Sequence, residues 1–407
     1  MRLVLRIFGK STTGENPMNK KLLSLAVAAA ITAPAAALAD ATLYGKTHVS
    51  IDWFDVKGVW DTEKGDNTEY KGWALNRGKS GEGVGRANRL GVKGSEDLGG
   101  GLKAIYQIEF GVSLANERDD DIANGDESGL KMRNTYVGVK GDFGTVLAGR
   151  HDTPHKISTQ KLELFNDTMA DYEDTLCFND IRADSTVAYI SPSFSGFQFA
   201  AATLPGSAST YDGGRNYKSG GLAEGYSLAA IYSNGPWYFG AGYEVLTEQL
   251  SEGKTIVNKA KEQHKAGEIT ATGFEAIRNA NADTADYKKY RVGLGIRDLS
   301  GLYLSAIYEK QKAVGFMEKK LVGGKMKDNN ANIWQGQIGY AFGNNMIKGM
   351  YGKNELESGN DTKSWAVGFD HNFSKRTKAY ALYTKVDVDK KSTSDWKGFS
   401  LGMMHNF

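Results

Sequence analysis

Thr42-Leu43-Tyr44-Gly45-Lys46-Thr47-His48-Val49-Ser50-Ile51-Asp52-Trp53-Phe54-Asp55 alternates along its length. Leu43, Gly45, Thr47, Val49, Ile51 and Trp53 fall on one face, and Tyr44, Lys46, His48, Ser50 and Asp52 on the other. A period of two belongs to a strand, because successive side chains leave opposite faces of the pleat. About ten residues in this pattern cross a bilayer at the tilt of a barrel strand. The apolar face then meets hydrocarbon and the polar face meets water.

The same reading extends outward. Arg89-Leu90-Gly91-Val92-Lys93 repeats the pattern, and Leu302, Leu304, Ala306 and Tyr308 oppose Tyr303, Ser305, Ile307 and Glu309. Sixteen strands are expected near 42–55, 83–95, 102–114, 131–141, 143–150, 183–191, 195–204, 223–234, 236–246, 286–298, 301–311, 329–342, 344–353, 362–373, 376–387 and 395–407. Short connections at 96–101, 142, 192–194, 235, 299–300, 343 and 374–375 alternate with long ones, among them 56–82, 115–130, 151–182, 205–222, 247–285 and 312–328. Short turns on one rim and long loops on the other are the pattern of a bacterial outer-membrane barrel. In the expected mature chain, Pro154, Pro192, Pro205 and Pro236 all fall at strand ends, turns or loops, where no ladder hydrogen bond is lost. Thr247–Ala285 reads as a surface loop with room for a short helix. Aromatics cluster toward strand ends, where amphipathic rings meet headgroups. The expected fold is an all-β, sixteen-stranded antiparallel transmembrane β-barrel.

The N-terminus reads as an address. Met18-Asn19-Lys20-Lys21, the apolar run Leu22–Leu38 and Ala37-Leu38-Ala39 form the three parts of a secretory signal. Residues 1–17 read as an over-extended start, 18–39 as the signal peptide and 40–407 as the barrel. Outside the N-terminus no apolar run is long enough for a membrane helix. Residues 1–39 carry five basic side chains against Glu15, so a whole-chain charge of +2 becomes mildly negative for the mature part. Lysines are dispersed, with no basic stripe for nucleic acid. Cys177 is the only cysteine, so no internal disulfide forms.

One long connection stands apart. Gly149–Arg182 carries Asp152, Glu163, Asp167, Asp171, Glu173, Asp174 and Asp180 against Lys156 and Lys161. Folded into the lumen opposite a basic wall, such a segment would make a charged constriction. Its composition alone equally suits a solvated surface loop.

The chain resembles the Gram-negative general porins. The resemblance rests on Thr42-Leu43-Tyr44-Gly45-Lys46, Asn88-Arg89-Leu90-Gly91-Val92-Lys93-Gly94, Arg133–Gly141, Phe143–Arg150, Ser185–Pro192 and the terminal Phe407. It implies a usually trimeric barrel whose third long loop folds inward, and a C-terminal aromatic strand recognised by the outer-membrane assembly machinery. It further implies a water-filled channel for passive diffusion of ions and small hydrophilic solutes, placed in the outer membrane among lipid and lipopolysaccharide. By motif, the basic wall falls on Lys46, Arg89, Arg133 and Arg182, with Arg150 as a further member. Parity agrees for Lys46, for Arg89 beside Lys93, and for Arg182 beside Asp184 and Thr186. The loop departs from the family pattern: Leu162-Glu163-Leu164-Phe165-Asn166-Asp167 lacks the proline of the usual Pro-Glu-Phe-Gly tip. Glu163, Asp167 and Asp171 are the expected lumen acids.

The alternatives are a substrate-selective channel, an adhesin barrel and a barrel hydrolase. No aromatic series lines the polar face as a sugar path would require. No Gly-x-Ser-x-Gly elbow occurs, and no Ser/His/Asp set stands out among the six histidines. His151 and His155 flank Asp152 with an i, i+4 spacing that suits a metal only on a helix. No metal, cofactor or enzymatic activity is expected.

Overall fold

The computed structural model describes residues 41–61, 66–75, 87–112, 114, 130–205, 221–247, 261, 263–265, 269–280, 286–313, 330–357, 359, 361–389 and 395–407. The expected signal peptide and start lie outside them. In order come β1 (Thr42–Asp61), β2 (Asp66–Leu75), β3 (Arg89–Gly99), β4 (Leu102–Val112), β5 (Leu130–Met132), β6 (Thr135–Gly141) and β7 (Gly144–Asp152). Helix α1 (Pro154–Thr159), a 3-10 turn (Gln160–Leu162) and α2 (Tyr172–Leu176) follow. Next are β8 (Arg182–Ile190), β9 (Phe197–Leu204), β10 (Gly225–Asn234), β11 (Trp237–Leu246) and helix α3 (Ala271–Ala280). The chain continues through β12 (Tyr287–Leu299), β13 (Leu302–Lys312), β14 (Ala331–Phe342), β15 (Asn345–Leu356), β16 (Thr362–Asn372), β17 (Thr377–Val388) and β18 (Trp396–Asn406).

These elements make one closed sheet. From β3 onward neighbouring strands pair antiparallel in chain order, with β5 and β6 together acting as one strand, and β1 pairs with β18 from Lys46↔Asn406 to Val56↔Trp396. Closure leaves no open edge, which hydrocarbon would not tolerate. Eighteen elements give sixteen barrel strands. β5 and β6 are one strand broken at Arg133-Asn134, both pairing with β4. β2 continues the line of β3, pairing with Ile51–Asp61 of β1 while β3 pairs with Thr42–Lys46. That extra hairpin lies where the sequence reads as a loop over 56–82. Its Tyr70-Lys71-Gly72-Trp73 text has no strong alternation, and its partner is simply the prolonged first strand.

The two faces are inverted relative to a water-soluble sheet. Leu43, Val49 and Ile51 are 46%, 40% and 50% exposed, while Lys46, His48, Ser50 and Asp52 are all at or below 6%. The outward face is apolar and the inward face polar, as a barrel in hydrocarbon requires. Near the short turns, Phe143, Phe194, Trp237, Phe342 and Phe373 are exposed and form an aromatic fringe. At the seam, the Phe407 and Gly45 backbones exchange hydrogen bonds of 3.0 and 3.1 Å. The Phe407 ring occupies the space a Cβ on Gly45 would need.

Candidate functional site

The segment between β7 and β8 is built by local caps. Thr153 opens α1, accepting from the Lys156 amide, with Pro154 in the first turn where its missing N–H costs nothing. Asp171 caps α2 by accepting from the Glu173 amide at 2.9 Å, and Cys177 ends that helix in the left-handed conformation at φ 62°. Between them, Leu162, Phe165, Met169, Leu176 and Phe178 are all at or below 2% exposure. Phe165 and Met169 pack with Phe54, Met350, Tyr380 and Trp396, while Leu162 and Leu176 pack with Tyr238, Ile307 and Ile333. Burial of each large side chain contributes roughly 1.5–3 kcal/mol of gross stabilisation.

Strand side chains reach the segment's backbone. Tyr238 Oη donates to Ser158 O at 2.9 Å and Ser305 Oγ to Leu162 O at 3.1 Å. Lys348 Nζ donates to Leu164 O at 2.7 Å, Asn354 Nδ2 to Leu176 O at 3.0 Å, and Gln311 Nε2 to Cys177 O at 3.1 Å. Arg291, fully buried on β12, holds Asp180 at 2.7 Å and Glu309 at 2.5 Å. His155 Nε2 lies 3.2 Å from the same Glu309. The wall is pared to glycine where the segment packs against it: a Cβ on Gly293, for example, would meet Thr159 and Leu162 at 2.7 and 2.8 Å.

On its other side the segment meets the basic wall. Lys46 Nζ lies 2.5 Å and Arg89 Nη2 3.3 Å from Asp167 Oδ2. Arg133, at the break between β5 and β6, donates from Nε to Glu109 at 2.7 Å, and Tyr44 Oη donates to the same carboxylate at 2.9 Å. Arg182 pairs with Asp152 at 2.9 Å and donates from Nε to Asn134 Oδ1, also at 2.9 Å. A cavity of about 240 Å³ lies between the two sides. Arg89, Arg133, Arg182, Glu163, Asp167 and Asp171 all line it, and Lys46 reaches it through Asp167. Arg150 is not among the lining residues and pairs with Asp184.

The reason for Arg150's position is local. The β7–β8 ladder shifts register here: Gly149 pairs with Thr186 and His151 with Ala183, so Asp184 and Ser185 of β8 bulge opposite the single residue Arg150, with Ser185 at φ 53°. Parity therefore shifts: Thr186 is buried while Asp184 is exposed, so Arg182, Asp184 and Thr186 do not share a face as strict alternation expects. An irregular ladder re-aims side chains in this way.

Three acids differ in character. Burial alone would raise Asp167, but Lys46 and Arg89 outweigh it and hold the carboxyl below its ordinary value. Burial and then the charges of Asp174 and Asp167 push Asp171 up to about 7. Burial and the neighbouring Asp171 carry Glu163 well above the ordinary carboxylate value. The gap thus combines one firmly ionised acid bridging to the wall with two that protonate readily.

Sequence reasoning missed Glu109 and Asn134, which orient the wall arginines, and the buried Arg291, Glu309, Lys289 and Glu244. A signal existed: Tyr290-Arg291-Val292 and Tyr308-Glu309-Lys310 each place a charge at the buried parity of an apolar strand.

Comparison with known proteins agrees with this architecture. The family described as Gram-negative porin matches residues 24–391. The major outer membrane protein P.IB of Neisseria lactamica is 28% identical over 375 residues, covering 89% of this chain and 91% of that protein. Among solved structures, an anion-selective porin from Comamonas acidovorans superposes with a TM-score of 0.61 at 20% identity, covering 90% of this chain and 99% of that one. The in-vitro folded OmpT of Vibrio cholerae, in a trimer form, superposes with a TM-score of 0.53 at 15% identity, covering 90% and 99%.

Proposed function

This chain belongs to the Gram-negative porin family, outer-membrane channels rather than enzymes, and from that premise we propose that its β7–β8 segment folds into the lumen and narrows the passive diffusion path. The observation that carries this is Asp167, which holds Lys46 of β1 and Arg89 of β3 while the rest of its segment is anchored on strands of the opposite wall. The wall partners belong to the buried, polar parity of the sheet. A segment tied to both sides of a closed barrel on that parity divides the lumen.

Bases on one side and acids on the other set up a transverse field in a narrow aqueous gap. Polar solutes align in such a field, whereas apolar ones must displace ordered water. Lys46, Arg89, Arg133 and Arg182 form the basic side, and Glu163, Asp167 and Asp171 the acidic side. No bond is made or broken.

The trimer form recorded for the Vibrio cholerae neighbour supports a homotrimer here. The exposed apolar belt supports contact with outer-membrane lipid and lipopolysaccharide. The seam at Phe407 supports a role for the terminal strand in assembly, and residues 18–39 have the form of an export signal.

Liposome swelling with the refolded mature chain tests the reading. Small neutral sugars should enter at a rate that falls steeply with their size, and Asp167→Ala with Arg89→Ala should flatten that dependence. A barrel that admits sugars with unchanged size dependence in the double variant would overturn the constriction.

A further inference from the structure

We infer that the outward face of β12–β14 is a seat for a phosphorylated lipid of the outer leaflet, with its phosphate on Lys310 and Lys312 and an acyl chain in the depression below them. The inference rests on the proposed contact of the apolar belt with outer-membrane lipid, and assigns one place on that belt.

The ladder register builds the seat. Lys288 of β12 stands opposite Lys312 of β13, and Tyr290 stands opposite Lys310. Lys310, Lys312 and Tyr290 are exposed on the outward parity and Lys288 is half-buried. The short turn between β12 and β13 closes the opposite rim, so these lysines stand at the rim of the long connections, which faces out of the cell. One row further into the belt, Tyr308 pairs with Trp334, and Tyr308 Oη donates to Asn332 Oδ1 at 2.9 Å. Such rings sit at headgroup level. Lysines just beyond them lay their stems along the rings and present their ammonium groups to phosphate. Lys312 Nζ lies 5.9 Å from the Tyr290 ring centroid.

Charge sets this arc apart from the rest of the rim. Further round, Lys353 holds Glu355 at 2.7 Å and Asp361 at 3.0 Å, and Lys385 holds Asp387 at 2.7 Å. Lys363 pairs with Asp389 at 3.4 Å and Lys397 with Asp55 at 3.3 Å. Among the described residues, the Lys288–Lys310–Lys312 cluster holds one carboxylate, Asp286, 3.4 Å from Lys288, and Lys310 and Lys312 pair with none. A net positive patch at the bilayer border, without a protein counter-charge, is complementary to a phosphate.

Below the rings the wall is hollowed. Ala306 pairs with Gly336, and Ile338 with Gly349, so three neighbouring outward positions carry a methyl group or nothing. No atom lies within 4 Å of a Cβ on Gly336. A depression of about 760 Å³ opens there, walled by Leu294 and Leu304 on one side and by Tyr351 and Trp365 on the other. An acyl chain lying in it gains contact on three sides instead of one. The two features together select the occupant. A free phosphate leaves the depression unused, a lipid without net charge leaves the lysines unmatched, and a second copy of this chain would bury them at a desolvation cost.

The experiment is native mass spectrometry of the refolded mature protein in a neutral detergent, titrated with diphosphoryl lipid A and, separately, with its dephosphorylated form. The diphosphoryl lipid should bind the more tightly. Lys310→Gln with Lys312→Gln should weaken it by about tenfold or more. Gly336→Leu, which fills the depression from the lipid side, should weaken it as well, and Lys385→Gln should not. The folded, heat-modifiable band on gels checks each variant. Equal affinity for the two lipids, or an unchanged affinity in the lysine pair variant, would overturn the phosphate seat. Indifference to Gly336→Leu would overturn the chain's place in the depression. Displacement by inorganic phosphate at matching concentration would reveal a bare anion site, and a Gly336→Leu variant that loses its oligomer rather than its lipid would give the face to a second copy; either result overturns the inference. Lipid bound equally by every variant would strike this seat and leave the general lipid contact of the belt standing. A wild-type barrel that retains no lipid of either kind would overturn both.

Discussion

The Lys46 ammonium on β1 meets the Asp167 carboxylate at 2.5 Å, across 121 positions of sequence. Arg89 approaches the same oxygen at 3.3 Å. One carboxylate thus ties a connection between two distant strands to the seam of the barrel. Lys46 is 6% exposed, so its charge depends on that partner rather than on water.

Asp167→Asn should release this tie. A nearly buried ammonium left without its carboxylate costs about 2–4 kcal/mol of docking free energy. Amide hydrogen exchange across 163–171 should speed up accordingly, while exchange in β12–β15 stays unchanged. Equal protection in the variant and the wild type would show that the tie contributes nothing to holding the segment.

Arg291→Met should be more damaging than any change at the gap. Arg291 is fully buried and serves Asp180 and Glu309 together, with Thr159 Oγ1 at 3.3 Å. Removing it strands two buried carboxylates, at a cost of about 3–5 kcal/mol. The expected outcome is a lower temperature for loss of the folded, heat-modifiable band on gels. Adding Glu309→Gln should restore part of the loss. A single variant as heat-resistant as wild type would contradict the assigned role.

The wall glycines give a paired comparison. Gly293→Ala puts a methyl into Thr159 and Leu162, whereas around Gly336 nothing lies within 4 Å of a Cβ. Overpacking of this kind costs about 1–3 kcal/mol. Gly293→Ala should lower thermal stability and increase current noise, and Gly336→Ala should do neither. Equivalent behaviour of the two variants would mean that the segment does not rest on β12.

A pH dependence follows from Asp171. Burial, Asp174 and Asp167 hold it up at about 7 in the folded chain, against the amides of Asp167 and Glu173 and the Asn166 side chain that donate to it. An unfolded aspartate titrates near ~3.9. Between those values the folded state binds the extra proton, so this group's contribution is complete below the lower value and is lost as pH rises through the upper one. Exchange protection of 171–176 should fall from about pH 5 to about pH 8, and Asp171→Asn, which keeps a capping oxygen, should flatten the trend. A rise in protection over that range would reverse the sign and refute the assignment.

The barrel was legible because its signals are local. Alternation over 42–55 and one- or two-residue turns such as Gly235 and Gly343 each depend on a few neighbouring residues. The gap was legible only in outline. Arg89 and Asp167 carry charges that the text displays, but their meeting depends on a fold-back that no spacing encodes. Asp184 shows the limit of parity: a bulge at Asp184-Ser185, with Ser185 left-handed, leaves it exposed although Thr186 is buried. Arg291 and Glu309 were visible as charges in apolar strands. What they hold lies in another part of the chain, so their role appears only in three dimensions.

Cys177 offers a direct probe of where the segment lies. It is the chain's single cysteine and is exposed, at the left-handed end of α2, with Gln311 of β13 donating to its carbonyl. Its neighbours Leu176 and Phe178 are buried against the wall, so the thiol's position relative to β13 is set by packing. A water-soluble, negatively charged methanethiosulfonate should therefore label the folded protein without denaturant, once per chain. If the segment occupies the lumen, the added sulfonate sits in the ion path, and single-channel conductance should change abruptly on labelling and recover with reductant. A segment lying on the outer rim would label just as readily and leave conductance unchanged. Accessibility and current together thus separate the two placements, which neither measurement does alone.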